Sequence, residues 1–127
     1  MKKILLLFCL FTSSLIAQEL QSSLQSMNLI DRAQAITDVY ASGLILDGEL
    51  RTKFEKTVAQ FLVKRRYIEE SDYKRDKKIA LLQSLSDEET QQMEALIGSD
   101  QIKAYKKIKV TVQPLFDRQM LKPAYLD

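Results

Sequence analysis

The chain has no histidine, one cysteine, three glycines and two prolines among its 127 residues, and each scarcity closes off some chemistry. Without histidine it lacks the usual general base near neutral pH and the commonest zinc ligand. The glycines, Gly43, Gly48 and Gly98, stand isolated, so there is no glycine-rich loop to cradle a phosphate. Both prolines, Pro114 and Pro123, fall near the far end, leaving everything before them open to helix.

The one cysteine, Cys9, lies in a segment that reads as an export signal. Lys2 and Lys3 give a positive start, Ile4 to Phe11 an apolar run, and Leu15-Ile16-Ala17 a cleavage site before Gln18. Thr12, Ser13 and Ser14 interrupt the run well short of the roughly 20 apolar residues that a membrane-spanning helix needs. Leu6-Leu7-Phe8-Cys9 loosely echoes a lipoprotein signal, but bulky Phe8 and the short run before Cys9 argue against lipidation. The expected destination is the periplasm or the exterior.

Removal of residues 1–17 would take Cys9 away, leaving no disulfide and no thiol nucleophile. It would also take Lys2 and Lys3, turning 19 basic and 17 acidic residues into 17 of each. A neutral chain carries no whole-molecule argument for nucleic-acid binding. Carboxylates remain, yet Glu69, Glu70 and Asp72 stand beside Lys74, Arg75, Lys77 and Lys78. A paired-carboxylate hydrolase is the enzymatic alternative; binding without catalysis is the expectation, with no cofactor or metal.

The periodicity reads as all-α, with four to five helices in antiparallel hairpins forming an elongated or curved domain. Residues 18–28 form a linker, 29–114 the helical domain and 115–127 a C-terminal tail. Leu29, Ala33, Ile36, Tyr40 and Leu44 recur at three and four residues, one stripe of a first helix. Asp47 is placed to cap a second helix carrying Leu50, Phe54, Val58, Phe61 and Leu62, with Glu49 and Lys53 spaced to pair. That helix runs to about Glu70, about 36 Å at 1.5 Å per residue. It either continues, pairing Glu70 with Lys74, or bends near Ser71. Ile79, Leu82 and Leu85 resume the stripe. Ser86-Asp87-Glu88-Glu89 has the form of a capping box, with Ser86 capping and Glu89 reaching back, and predicts a fresh helix start. That helix uses Met93, Leu96 and Ile97 and ends at Gly98. A last one turns Ile102, Tyr105, Ile108 and Val112 inward and Lys103, Lys106 and Lys107 outward. Ile108-Lys109-Val110-Thr111-Val112 alternates like a strand, but with no partner strand it reads as a helix end.

Two stretches carry a family resemblance. Arg32-Ala33-Gln34-Ala35-Ile36-Thr37-Asp38, followed by Leu44-Ile45-Leu46-Asp47-Gly48-Glu49-Leu50, resembles the opening of the small periplasmic Spy/CpxP-like proteins of the Leu-Thr-x-x-Gln motif group. Leu85-Ser86-Asp87-Glu88-Glu89 and Ile97-Gly98-Ser99-Asp100-Gln101 with Tyr105 resemble the later copies. Asp47 and Gly98 stand where threonine is expected and Leu50 where glutamine is expected, while Gln101 is retained. The resemblance implies an ATP-independent helical chaperone (a holdase) or the regulator of an envelope stress sensor. Such a protein is typically a dimer whose concave face mixes basic and apolar groups. Its partners would be unfolded or membrane-bound envelope proteins. Some relatives are linked to zinc, a role the missing histidine and cysteine argue against.

On that reading Phe54, Val58 and Phe61, ringed by Lys64, Arg65 and Arg66, form the candidate binding surface. The plainer reading puts the three apolar residues in the core and the three cations on a solvated helix end. Leu46, Asp47, Ser86, Glu89, Ile97, Gln101 and Tyr105 are the motif and helix-capping residues. The small core and the long second helix predict a homodimer. Light scattering is expected to give twice the chain mass, and a monomer at high concentration would contradict it.

Overall fold

The computed structural model describes residues 28–115. Residues 1–17 with Cys9, all of the linker but Asn28, and all of the tail but Leu115 lie outside the described residues. Within them the protein is all-helical, with four helices: α1 (Leu29–Ala41), α2 (Gly48–Glu69), α3 (Arg75–Ile97) and α4 (Ile102–Val112).

Asn28 caps α1: its Oδ1 accepts the Asp31 backbone N–H at 2.8 Å while its Nδ2 donates to the Asp31 carboxylate at 2.9 Å. This reciprocal pair holds the first turn, as a capping box does. Asp47 occupies the cap position of α2, and its backbone carbonyl accepts the N–H of Leu50 at 3.0 Å. Its side chain makes no capping bond, which corrects the expected role. The expected Glu49–Lys53 pair forms at 3.4 Å.

The helix does not continue through Ser71. Glu70 ends α2 and the chain turns before restarting at Arg75. The Ser71 hydroxyl contributes by donating to the Ile68 carbonyl at 2.6 Å, drawing a last-turn acceptor away from solvent. By contrast α3 runs unbroken from Arg75 to Ile97 through Ser86-Asp87-Glu88-Glu89. The expected helix start there is wrong: Leu82, Leu85, Glu89 and Met93 share one buried stripe at spacings of three and four, so the packing face runs through it without a break. Gly98 ends α3 with φ of 88°, a conformation open to glycine and costly for other residues.

Each helix packs on two others: α1 on α2, α2 on α3, α3 on α4, and α4 back on α1. Along the α2–α3 hairpin, Lys78 Nζ donates to the Glu69 carbonyl at 2.9 Å and Lys64 pairs with Glu88 at 3.9 Å. Contacts stepping back along α2 thus step forward along α3, so the two run antiparallel.

The core joins Ala33, Ile36 and Tyr40 of α1, Phe54, Val58 and Leu62 of α2, Met93 and Ile97 of α3, and Ile102, Tyr105 and Val112 of α4. Three rings sit at its centre. Tyr40 stacks on Tyr105 at 5.0 Å and meets Phe54 edge-on at 5.1 Å, while Phe54 and Tyr105 also meet edge-on at 6.1 Å. Such pairs contribute about 0.5–1.5 kcal/mol each beyond area burial. The α1 turn approaches α4 closely: a Cβ on Gly43 would lie 2.7 Å from Ile108 Cδ1, so a larger residue there would have to turn the end of that side chain aside.

The helices differ in length. At 22 and 23 residues α2 and α3 are about 33 and 35 Å long, whereas α1 and α4, at 13 and 11, are about 20 and 17 Å. On α2 the last buried residue is Leu62, and on α3 the first is Leu82. Between them the hairpin carries no buried residue.

Candidate functional site

Two features stand out: a buried ionic clamp inside the bundle and the uncovered hairpin beyond it. The clamp centres on Lys109, which sequence reasoning left among the residues of a helix end. In α4 it falls four residues after Tyr105 and so on the same inward stripe, with Val112 next along. Only 8% exposed, it uses all three donors of its ammonium: to Glu89 Oε1 at 3.1 Å, to the Ser86 carbonyl at 2.9 Å and to Thr90 Oγ1 at 3.0 Å. It also lies over the Tyr105 ring, 5.5 Å from its centre. Ser86 and Glu89 therefore serve α4 from the middle of α3, instead of starting a helix.

From Glu89 the network continues toward α1. Gln113 donates to Glu89 Oε2 at 3.4 Å and accepts the Tyr40 hydroxyl at 2.7 Å. Burial raises the ionisation of Tyr40 and Tyr105 far beyond the ordinary tyrosine range, and the Glu89 carboxylate adds to both shifts. Both phenols stay neutral. The Tyr105 hydroxyl is buried without a well-formed hydrogen bond of its own, although it lies close enough to Tyr40 to affect its titration.

Within the ion pair burial outweighs attraction. It holds the Glu89 carboxyl above its ordinary 4.5, with Lys109, Gln113 and Arg65 pulling back only partly. The Lys109 ammonium is lowered for the same reason, and Glu89 again offsets part of the shift. Perturbed ionisable pairs beside a cavity are where catalysis is sought. Here the cavity, lined by Phe61, Arg65, Leu82, Glu89, Lys109 and Leu115 among others, measures about 20 Å³. That is room for one water. Among the described residues no three His, Cys, Asp or Glu side chains are grouped to hold a metal ion. With every donor of Lys109 engaged, the arrangement fits a clamp between helices.

The expected binding residues separate. Phe54, Val58 and Phe61 are 0%, 0% and 3% exposed, so the core occupies them and they offer no open surface to a partner. This corrects the proposed binding surface. The three cations also diverge. Lys64 is exposed, 4.9 Å over the Phe61 ring and near Glu88. Arg66 points outward and bonds Glu70 at 2.8 Å, which raises its already high pKa. Arg65 folds inward, bonding Glu69 Oε1 at 2.6 Å and the backbone carbonyls of Pro114 and Leu115 at 2.8 and 3.3 Å.

Of the motif residues, Leu46 packs half-buried against the core, Ile97 ends α3 in it, and Tyr105 is fully buried in the ring cluster. Gln101 precedes the first helical residue of α4 and makes no cap. Its amide instead spans to the loop before α2, accepting the Ile45 N–H at 2.7 Å and donating to the Ile45 carbonyl at 3.4 Å. It thereby ties together the two stretches that carry the motif resemblance, 56 residues apart. Lys103, Lys106 and Lys107 are exposed, as expected.

No family model, curated protein or solved structure matches the chain.

Among the described residues the hairpin brings together three of the six large apolar side chains that are exposed, the others being the scattered Ile30, Ile45 and Val110. Val63 and Tyr67 are 55% and 76% exposed and stand one turn apart on α2, opposite the face that carries Phe54, Val58 and Phe61. Tyr73, 42% exposed, lies in the turn with Lys77 over its ring at 4.1 Å. Residues 63–78 carry seven basic and four acidic side chains.

The clamp yields a prediction with a definite sign. Lys109→Met leaves Glu89 buried without its counter-charge, and breaking such a pair costs about 3–5 kcal/mol. A carboxyl whose folded pKa is raised contributes most stability below its unfolded value of 4.5 and loses it as pH rises through the folded value. Urea titrations should therefore find the Lys109→Met deficit large at neutral pH, shrinking as pH falls through the raised folded value of Glu89 and smallest below pH 4.5. The double variant Glu89→Met with Lys109→Met should regain or exceed wild-type stability. A deficit independent of pH would contradict the account.

Proposed function

We propose that the protein works by binding other polypeptides of the cell envelope, as an ATP-independent holdase of the Spy/CpxP-like kind, and that the α2–α3 hairpin is its working surface. One observation carries the reading: beyond the core the hairpin interleaves exposed Val63, Tyr67 and Tyr73 with Lys64, Arg66, Lys74 and Lys77. Apolar side chains give short-range attraction that needs no particular sequence in the partner. Surrounding cations draw in acidic segments over a Debye length of about 8–10 Å. Aromatic residues add large contact area at low entropic cost, and tyrosine does so while remaining wettable. The residue pattern of positions 1–17, which reads as an export signal, supports an envelope location. No helix of the described residues is long and apolar enough to cross a membrane.

A second reading, that of a regulator docking on one membrane-bound partner, draws on the confinement of this surface to one projecting hairpin. A holdase retains many unrelated envelope proteins weakly, and a regulator retains one strongly, so pull-down from envelope extracts separates them. A second copy of the chain is a further occupant of the same surface, consistent with a dimer.

The test is suppression of aggregation of a denatured client without nucleotide, comparing wild type with Val63→Ser/Tyr67→Ser. Neither side chain is in the core, so melting temperature should hold. Client affinity should fall roughly tenfold, the factor for about 1.4 kcal/mol of lost apolar contact. Equal suppression by both proteins would remove the hairpin from the account, and no suppression at any ratio would remove the holdase.

A further inference from the structure

Three turns join the four helices, and only one of them presents a basic side chain. The turn after α1 is tied down: the N–H groups of Ser42, Gly43 and Leu44 bond back to α1, Leu44 is buried, and Gln101 holds both backbone groups of Ile45. The turn before α4, Gly98 to Gln101, bonds back on itself from the Gln101 N–H to the Gly98 carbonyl at 3.3 Å. Neither contains lysine or arginine. Between α2 and α3, backbone bonding to α2 stops at the Ser71 N–H, and helix resumes when the Lys78 N–H meets the Lys74 carbonyl. Asp72, Tyr73 and Lys74 lie exposed in between, and the Lys74 backbone is extended. Among the described residues every other lysine and arginine sits within a helix.

An endoprotease takes its substrate in extended form, and it reaches a helical residue only after that helix has opened. Lys74 needs no such opening. Its flanks also yield readily, since no residue from Val63 to Leu81 is buried. We propose that the Lys74–Arg75 bond is a processing site for an endoprotease with a trypsin-like preference for basic residues, and that the cut loosens the projecting hairpin while the bundle stays assembled. Hydrolysis breaks the amide C–N bond, with water supplying a hydroxyl to the Lys74 carbonyl carbon and a proton to the Arg75 nitrogen. At neutral pH the new ends are a carboxylate and an ammonium. The ammonium stands at the positive end of the α3 dipole and destabilises its first turn, and α2 loses the covalent closure that kept its end beside α3. The fragments remain joined lower down. Tyr40 of the first stacks on Tyr105 of the second and bonds Gln113, and Arg65 bonds the Pro114 carbonyl. The loosened segment carries Val63 and Tyr67, so the cut regulates the proposed client surface, a consequence that rests on that reading.

The experiment treats the purified full-length chain with limiting trypsin and maps the cuts within residues 28–115 by mass spectrometry. The first should fall after Lys74, the fragments should co-elute on size exclusion where the uncut chain does, and amide exchange from Val63 to Tyr73 should quicken. Lys74→Gln should slow the first cut in that span roughly tenfold or more, because the remaining sites wait on helix opening. In the cells that make the protein, terminal labelling should find a new N-terminus at Arg75 that Lys74→Gln abolishes. A first cut elsewhere in the span, an unchanged rate in Lys74→Gln, fragments that separate, exchange unaltered by the cut, or no Arg75 terminus in cells would each overturn the proposal. None of these measurements involves a client, so they stand or fall apart from the holdase reading.

Discussion

Unequal helix length is the constraint on which the rest of the structure depends. Four helices can close a core only over the span they share, and α1 and α4 are about half as long as α2 and α3. Over that span the inward stripes are buried or packed half-buried against the core, with Tyr40, Phe54 and Tyr105 at the centre. Past it, α2 and α3 have only each other. A two-helix extension cannot bury a stripe on all sides, which is why Ile68, Ile79 and Tyr73 stay partly open while Phe61 and Leu82 do not.

Inside the closed span, the polar network governs how the short helix α4 sits. Burying Lys109 and Glu89 costs more in lost hydration than their attraction returns, as the opposed shifts of both groups indicate. What the pair supplies is position. Lys109 reaches its three acceptors on α3 in one rotation of α4, and the same rotation stacks Tyr105 on Tyr40 and brings Gln113 to the Tyr40 hydroxyl. A helix of 11 residues is marginal alone, so its placement rests on these contacts.

The legible parts of the fold were those governed by local spacing. The stripe from Ala33 to Tyr40, the extent of α2 to Glu69, the stop at Gly98 and the wet face of Lys103, Lys106 and Lys107 all follow from periodicity and from glycine. The alternating segment Ile108 to Val112 is indeed helical. The misread parts depend on partners distant in sequence. Ser86 and Glu89 have the residue types of a capping box, but Lys109, 23 and 20 residues on, bonds the Ser86 backbone carbonyl and the Glu89 carboxylate inside an unbroken helix. Arg65 looked like one of three solvated cations, but chain carbonyls 49 and 50 residues away draw it inward. Gln101 reads as a helix-start residue until Ile45 is placed beside it. Phe54, Val58 and Phe61 could have faced a hollow or a core, and periodicity alone does not distinguish a stripe that packs from one that waits for a partner.

A closed core with an open hairpin makes the division of stability along α2 the most direct test. Amide hydrogen exchange should find Phe54 to Leu62 and Glu89 to Ile97 exchanging only with global unfolding, and Arg66 to Ile79 exchanging orders of magnitude faster through local opening. Protection as strong around the hairpin turn as in the bundle would contradict the account, because the working surface would then belong to the core.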